Sequence, residues 1–321
     1  MSLCVVAIHT HPMENCSNVF ALNIYASIVS LAVPFFFIAS GFLLSIKLHH
    51  PYDSEESIQI VKVYAARMIK LYLLWSVIYM PLALYQYIYL DHKHSWLWYV
   101  ASYMRGLIFI GEHYNSWILW YLLSTIYSLQ MIIILLKKHV SLYGIAFIGA
   151  VIFLSAYLID CLVSYKGPLP VFLSALQLLI RITIANGRIF RGMLYIPLGM
   201  LLAHKTFSVK IAYPLFVACF ISTMLSNGIV KSISGVVCAV SLFVIVLEFQ
   251  SDSHVYPFMR KMSTVIYFIH MYVWSIGYKI LYGQKHYGLD MFLMTASVCL
   301  AVSFVYVYMN LRWERLKNYV H

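Results

Sequence analysis

The chain has 321 residues, of which 63% are hydrophobic and 10% are charged, and its formal net charge is +11. Its mean hydropathy of +0.83 means more apolar surface than a soluble globule of this length buries, so the composition indicates a polytopic membrane protein. The positive charge does not indicate nucleic acid as a partner, because the basic residues stand one or two at a time between apolar runs.

Apolar runs recur along almost the whole chain. A helix needs about 20 apolar residues to cross a hydrocarbon core of roughly 30 Å. We therefore predict an all-α, polytopic transmembrane helix bundle that forms a single domain over residues 1–321. Nine near-complete spans are expected, at 20–46, 64–90, 116–136, 142–163, 189–204, 211–226, 230–248, 263–282 and 290–310. The stretches 95–110 and 167–186 carry Arg105 or Arg181 and are predicted to be interfacial or re-entrant segments.

The N-terminal segment is too short to span. Only eight residues precede His9, and at ~1.5 Å per residue they cover about 12 Å of helix. We expect a truncated first helix, which has lost its beginning through a wrong start site or a true truncation. The connections on one side of the predicted membrane hold more lysine and arginine than those on the other. Arg260 and Lys261 lie on the richer side, and Lys93 lies on the poorer side. This bias predicts cytoplasmic termini and places His9 near the outer end of its helix.

His9 lies where the first apolar segment leaves the membrane. Histidine titrates near neutrality and accepts a proton from an alcohol, which makes His9 a candidate base. The other interpretation is an interfacial histidine that ends a span. Glu14 is the nearest acid, and it either orients the imidazole as acids do in catalytic triads or is a solvated loop residue.

The run from Val33 to Phe42 combines a proline, three phenylalanines and the small pair Ser40 and Gly41. Small residues allow another backbone to approach closely. Ser40 is a conceivable nucleophile, but the surrounding sequence lacks the strand, turn and helix order of a nucleophile elbow. The pattern favours helix packing.

Two further segments carry candidate binding residues. Arg67 and Lys70 are three apart at the predicted start of an apolar helix, so both either hold the phosphates of an anionic donor or mark a cytoplasmic helix end. Trp117, Trp120 and Tyr121 form an aromatic face, which is typical of anchoring at a membrane interface and also suits a substrate contact.

Ser263, Tyr267 and His270 are spaced i, i+4 and i+7, so one helix face carries all three. An ionisable group at bilayer depth costs several kcal/mol by some scales. Such groups therefore face a cavity or the interior of a bundle. This polar stripe is a functional candidate on physical grounds alone.

In chain order, these segments resemble the acyltransferase-3 family of integral-membrane acyltransferases, which includes bacterial membrane O-acetyltransferases that modify glycans. The resemblance covers nearly the whole chain. It runs through Ile8-His9-Thr10, Val33 to Phe36, Ser40 to Phe42, Arg67 to Tyr72, Trp117 to Leu122, Asn186-Gly187, Leu198-Gly199, and the stripe Ser263, Tyr267 and His270.

The resemblance implies an enzyme of the bacterial cytoplasmic membrane. It would move an acyl group, acetyl by default, from cytoplasmic acyl-CoA to a hydroxyl of a cell-envelope glycan or a related acceptor. His9 would be the catalytic general base, and Arg67 and Lys70 would bind the donor. The remaining substrate-binding residues would be Tyr72, Trp117, Trp120, Ser263, Tyr267 and His270. Acyl-CoA is expected as a substrate, with no tightly bound cofactor or metal, and the lipid bilayer as the surrounding partner.

Two departures from the family pattern remove positive charge. Family members usually carry an arginine upstream of the first-helix histidine, at a distance that this chain is too short to contain. Many also have an arginine where this chain has Ser30. If those arginines steady the donor or the histidine, the chain is a truncated, inactive homologue. The other alternative is a transporter or flippase for a lipid-linked or small sugar, in which intramembrane histidines relay protons or bind substrate.

Overall fold

The computed structural model describes residues 1–90, 94–205, 207–249 and 255–320, and of residues 314–320 the backbone alone. Every regular element in these ranges is helical, which confirms the predicted all-α class. Lys93, which the orientation argument places on the outer side, lies outside the described residues.

The helices divide between two compact units whose segments interleave along the chain. The first unit comprises Met1–Val33, Ala218–Gly235 and Val246–His321, and the second comprises Pro34–Val217 and Val236–Ile245. The first unit contains α1 (Ser2–Thr10), α2 (Val19–Ser30), α12 (Val255–Tyr282) and α13 (Leu289–Val320). The second contains nearly all of α3 (Ala32–Ser45), α4 (Glu55–Tyr85), α5 (Trp96–Arg105), α6 (Leu119–Lys137), α7 (Leu142–Ser164), α8 (Val171–Thr183) and α9 (Gly192–Leu202). Helices α10 (Val209–Leu225) and α11 (Gly228–Glu248) contribute residues to both.

The prediction of nine spans is wrong in number. Within the described ranges, six helical stretches are long and apolar enough to cross a membrane, or seven if the bent pair formed by α8 and the segment Arg188–Leu202 is one span. Helix α9 has 11 residues, about 16 Å at ~1.5 Å per residue, which is too short to cross alone. Helix α12 has 28 residues and is long enough, but its polar side chains keep it out of the six.

Short polar side chains set where several helices begin. The Asn18 side chain accepts hydrogen bonds from two backbone N–H groups at the start of α2. Ser54, Ser95 and Ser141 accept a backbone N–H in the same way at the starts of α4, α5 and α7. Such caps satisfy donors that the helix itself leaves unpaired, and they stabilise each helix by about 1 kcal/mol.

The cap at Ser54 corrects the predicted position of Arg67 and Lys70. Helix α4 begins at Glu55, and both Glu55 and Glu56 lie in its first turn, where negative charge is favourable. Arg67 and Lys70 therefore lie roughly 18 to 22 Å along the helix axis, and not at its start.

In the first unit, α12 packs along α13, and α1 packs against both. Val6, Ile266 and Cys299 form the buried apolar contact between the three helices, with Val273 and Phe292 at its border. Although α1 has only nine residues, this contact fixes its position relative to the polar stripe of α12.

In the second unit, glycines allow α9 to lie in close contact with two other helices. An added Cβ at Gly41 of α3 would lie 2.0 Å from the carbonyl oxygen of Ile196, and one at Gly199 of α9 would lie 2.1 Å from that of Ile38. A Cβ at Gly149 of α7 would likewise lie 2.0 Å from the carbonyl oxygen of Met193. The prediction that Gly41 serves helix packing is confirmed.

We predict that Gly41→Ala lowers the thermal unfolding midpoint of the detergent-purified protein, because the new methyl group overlaps backbone atoms that have no alternative rotamer. The expected destabilisation is about 1 to 3 kcal/mol. The matched control is Gly235→Ala, where an added Cβ meets nothing within 4 Å and the midpoint should hold or rise. Equal midpoints for the two variants would contradict the packing argument.

Candidate functional site

The first unit brings His9 and His270 together as a histidine pair. Their ring centroids are 5.4 Å apart and the ring planes are inclined by 29°, so the two imidazoles stack. His9 lies in the last turn of α1 and is partly exposed, whereas His270 is fully buried in α12. One ring of the pair is therefore accessible and the other is enclosed.

Backbone contacts fix the orientation of the His270 ring. Its Nδ1 lies 3.1 Å from the carbonyl oxygen of Ile266, one helical turn earlier. Since a carbonyl oxygen only accepts, Nδ1 carries the proton in the neutral ring and Nε2 presents a lone pair. That Nε2 is buried and has no hydrogen-bond partner among the described residues.

Two hydrogen bonds join α1 to neighbouring segments around the histidine pair, and a third lies within the helix. The Tyr25 hydroxyl donates to the carbonyl oxygen of Ala7 at 2.8 Å, and the Thr10 hydroxyl donates to that of Val6 at 2.9 Å. The backbone N–H of Gly288 donates to the carbonyl oxygen of Thr10 at 2.9 Å. The end of α1 that carries His9 is therefore anchored to α2 and to the connection before α13.

The other predicted residues of this unit lie at different distances from the pair. The Tyr267 ring is buried, and its centroid is 6.2 Å from that of His270. Ser263 is half-buried two turns earlier on α12. Glu14 is exposed in the turn that follows α1. Tyr267 and His270 thus lie on the same face of α12, and the His9 ring stacks on His270 there.

The remaining predicted residues belong to the second unit. Arg67 and Lys70 have exposed side chains on α4. Tyr72, two residues after Lys70, is buried, and its hydroxyl donates to the carbonyl oxygen of Leu107 at 2.7 Å. Tyr72 therefore positions the π-helical turn Gly106–Ile110 that extends α5.

An ion pair lies over the aromatic segment predicted from the sequence. The guanidinium of Arg188 donates to the carboxylate of Glu112 and lies 5.1 Å from the ring centroid of Trp120. Burial raises the pKa of Glu112 above its usual value, and Arg188 offsets part of this rise. The pair combines charge attraction with a cation–π contact on a buried indole.

His113 is held beside this ion pair. Its ring stacks on that of Tyr103 with a centroid distance of 4.0 Å and an interplanar angle of 7°. A Cβ at Gly106 would lie 2.3 Å from the His113 ring, so the absence of a side chain there is what admits the imidazole. Burial lowers the pKa of His113 to about 4, which keeps the ring neutral at pH 7.

Glu112 and His113 are absent from the residues predicted from the sequence, and Arg105 appears there only as a mark of the interfacial or re-entrant stretch 95–110. The available signal was the polar pair Glu112 and His113 in the connection just before the aromatic segment. No short-range spacing links that pair to Arg188, because the contact forms only when the 3₁₀ turn Arg188–Phe190 packs against α6.

These observations define an all-helical membrane protein. No protein-family model matches the chain, and no solved structure matches it. The chain is similar to a protein of Enterococcus faecalis described as an amino-acid racemase, with 29% identity over 136 residues. The match covers 42% of this chain and 18% of that protein, so the chain spans less than half the length of this relative. The resemblance to the acyltransferase-3 family stays a prediction.

We predict that acidification destabilises the fold in part through His113. In the unfolded chain this histidine takes up a proton as the pH falls through about 6.5, whereas the folded protein keeps the ring neutral down to about 4. Its contribution to stability is therefore complete above pH 6.5 and is lost progressively towards pH 4. Glu112 acts in the opposite direction. Because its pKa is raised in the folded protein, its carboxylate binds a proton at a higher pH there than in the unfolded chain.

The measurement is the thermal unfolding midpoint of the detergent-purified protein at pH 7.5 and pH 5.0. His113→Gln should show a smaller drop between the two pH values than the unsubstituted protein. The control is His49→Gln, at an exposed histidine before α4, which should keep the original drop. The same drop in all three proteins would contradict the role given to His113.

Proposed function

We propose that the chain is a membrane O-acyltransferase, which moves an acyl group, acetyl in the first instance, from acyl-CoA to a hydroxyl of a cell-envelope glycan or a related acceptor. The observation that carries the proposal is the histidine pair. An accessible imidazole on a fixed, buried second imidazole is suited to general base catalysis. The order of segments that resembles the acyltransferase-3 family supports the same reaction, and the proposed location is the bacterial cytoplasmic membrane.

In the proposed reaction, His9 takes the proton of the acceptor hydroxyl while the acceptor oxygen attacks the thioester carbonyl. A C–O bond forms and the C–S bond breaks, and the proton passes from His9 to the departing CoA thiolate. The neutral His270 ring, stacked at 5.4 Å, stabilises the positive charge that forms on His9 through its π electrons. His270 is therefore a positioning residue and His9 the catalytic residue.

Arg67 and Lys70 are assigned to the phosphates of the donor. Both side chains are exposed on α4, and arginine and lysine are the common phosphate-binding residues of proteins. The aromatic residues Trp117 and Trp120, together with Tyr72, Ser263 and Tyr267, are assigned to substrate binding. These assignments follow the family resemblance.

A transporter or flippase for a lipid-linked or small sugar is the second candidate. One observation favours it, since α8 and the segment Arg188–Leu202 are bent by 69° at a short break. Broken helices are frequent at the substrate sites of secondary transporters. The two candidates differ in chemistry, because a transporter leaves its substrate without a new ester.

We predict that membranes containing the protein transfer label from [¹⁴C]acetyl-CoA to envelope material as an ester that mild alkali releases as acetate. His9→Ala should lower this rate by roughly 100-fold or more, because a positioned base contributes about that factor. The matched control is His11→Ala, an exposed histidine two residues further, which should keep the activity.

Both outcomes depend on equal amounts of folded protein, which size-exclusion chromatography in detergent verifies. Undiminished transfer by His9→Ala would refute the assignment of the base. No transfer above control membranes, together with uptake of labelled sugar into vesicles, would favour the transporter.

The role of the cations on α4 is tested separately. Arg67→Gln should raise the KM for acetyl-CoA by about tenfold with a smaller change in kcat, because the lost contact binds the donor in the ground state and the transition state alike. The matched control is Lys62→Gln on the same helix, where Lys62 donates to Glu55 at 3.1 Å. A KM that moves equally in both variants would remove the donor-binding role from Arg67.

A further inference from the structure

A cavity of about 320 Å³ opens in the second unit, between α5, its π-helical extension and the connection that precedes α6. Gln86, Trp98, Arg105, Glu112, His113 and Trp117 line it. We call it the Arg105 cavity. Its volume lies at the lower end of the range found for small-molecule sites, and its lining combines charged, polar and aromatic side chains.

Arg105 supplies the charge that distinguishes this cavity. It lies in the last turn of α5, and its Nε is buried and has no hydrogen-bond partner among the residues that the structure describes. A guanidinium donor without a partner is costly when it is shielded from water. Its planar fork of N–H groups matches a carboxylate in a bidentate arrangement.

Glu112 is not the carboxylate partner of Arg105. Its carboxylate accepts from Arg188, which itself lies over Trp120. Within the part of the lining that the structure describes, Glu112 is the only carboxylate, and its charge is matched by a second arginine. Among the described lining residues, no carboxylate is therefore left to neutralise Arg105.

His113 adds a fixed neutral hydrogen-bonding group. Its Nε2 is buried and has no partner among the described residues. The ring cannot turn away readily, because it stacks on Tyr103 and lies directly against Gly106. A neutral imidazole nitrogen pairs well with a hydroxyl group, which both donates and accepts.

The tryptophans complete the recognition surface. Trp98 and Trp117 both line the cavity, and indole rings offer flat apolar surface together with one N–H donor. A ligand with an apolar ring face and polar edges fits such a lining better than a compact inorganic ion does.

We propose that the Arg105 cavity binds a hydroxy-carboxylic acid of at most monosaccharide size, with its carboxylate on Arg105, a hydroxyl on His113 and its apolar face on Trp98 and Trp117. The inference rests on the geometry of this cavity, and Trp117 is the one residue that it shares with the proposed acyl transfer. The shared chemistry has two natural sources, which are an acidic sugar and a small hydroxy acid.

The test uses the purified full chain in detergent and follows tryptophan fluorescence during titration, since two indoles line the cavity. The probes are D-glucuronate, D-glucose, L-lactate and inorganic phosphate. Glucuronate should bind saturably and at least tenfold more tightly than glucose, which has the same ring without the carboxylate. Tight binding of lactate would assign the site to a small hydroxy acid and would support the same chemistry.

The variant test removes the cation. Arg105→Gln should weaken glucuronate binding by roughly 10- to 100-fold, the range expected for a lost charge-assisted hydrogen bond. The affinity of Arg105→Lys should fall between those of the unsubstituted protein and Arg105→Gln, because lysine keeps the charge and lacks the planar fork. The matched control is Arg181→Gln, since Arg181 also lies in the last turn of a helix but does not line the cavity.

Four results would overturn the proposal. They are affinities for glucuronate and lactate that do not exceed the affinity for glucose, tighter binding of phosphate than of either acid, no saturable binding of either acid, and unchanged affinity for the bound acid in Arg105→Gln. The comparison of glucuronate with glucose needs no substitution, so the proposal remains testable if Arg105→Gln does not fold.

Discussion

A polar group in apolar surroundings must find a hydrogen-bond partner, and this requirement organises both units. Tyrosine hydroxyls meet it by donating to backbone carbonyls, as Tyr25 does to Ala7 and Tyr72 does to Leu107. These bonds add to the apolar packing that positions the short α1, and they hold the π-helical turn after α5. In contrast, His270 Nε2 and Arg105 Nε are buried without a hydrogen-bond partner among the described residues. This is why each of the two residues is assigned a chemical role.

The helices follow from the sequence more reliably than their relation to the membrane. Apolar runs and serine caps predict where helices form, because both act over a few residues. The number of spans does not follow, since lipid and protein interior select the same apolar side chains. Helix α9 illustrates this, because nine of its eleven residues are buried although the helix is too short to cross.

The candidate residues show the same division between local and tertiary information. Helical spacing correctly predicts that Tyr267 and His270 share a face, because that depends on one helix alone. The stacking of His9 on His270 depends on the packing of α1 against α12, which no spacing encodes. The sequence likewise does not predict that Arg105 and His113 line one cavity. Their segments come together through a π-helical turn and the left-handed backbone of Gly111 (φ 75°).

The close glycine contacts of α9 also constrain how the second unit can move. Gly41 and Gly199 join α3 to α9 from both sides, and Gly149 joins α7 to the same helix. Sliding α9 by one residue would bring side chains where only backbone fits, so the contact resists register shifts. Helices α3, α7 and α9 are thus held in one register by direct backbone contact, and a substitution that adds a side chain at any of the three glycines would have to displace a neighbouring helix.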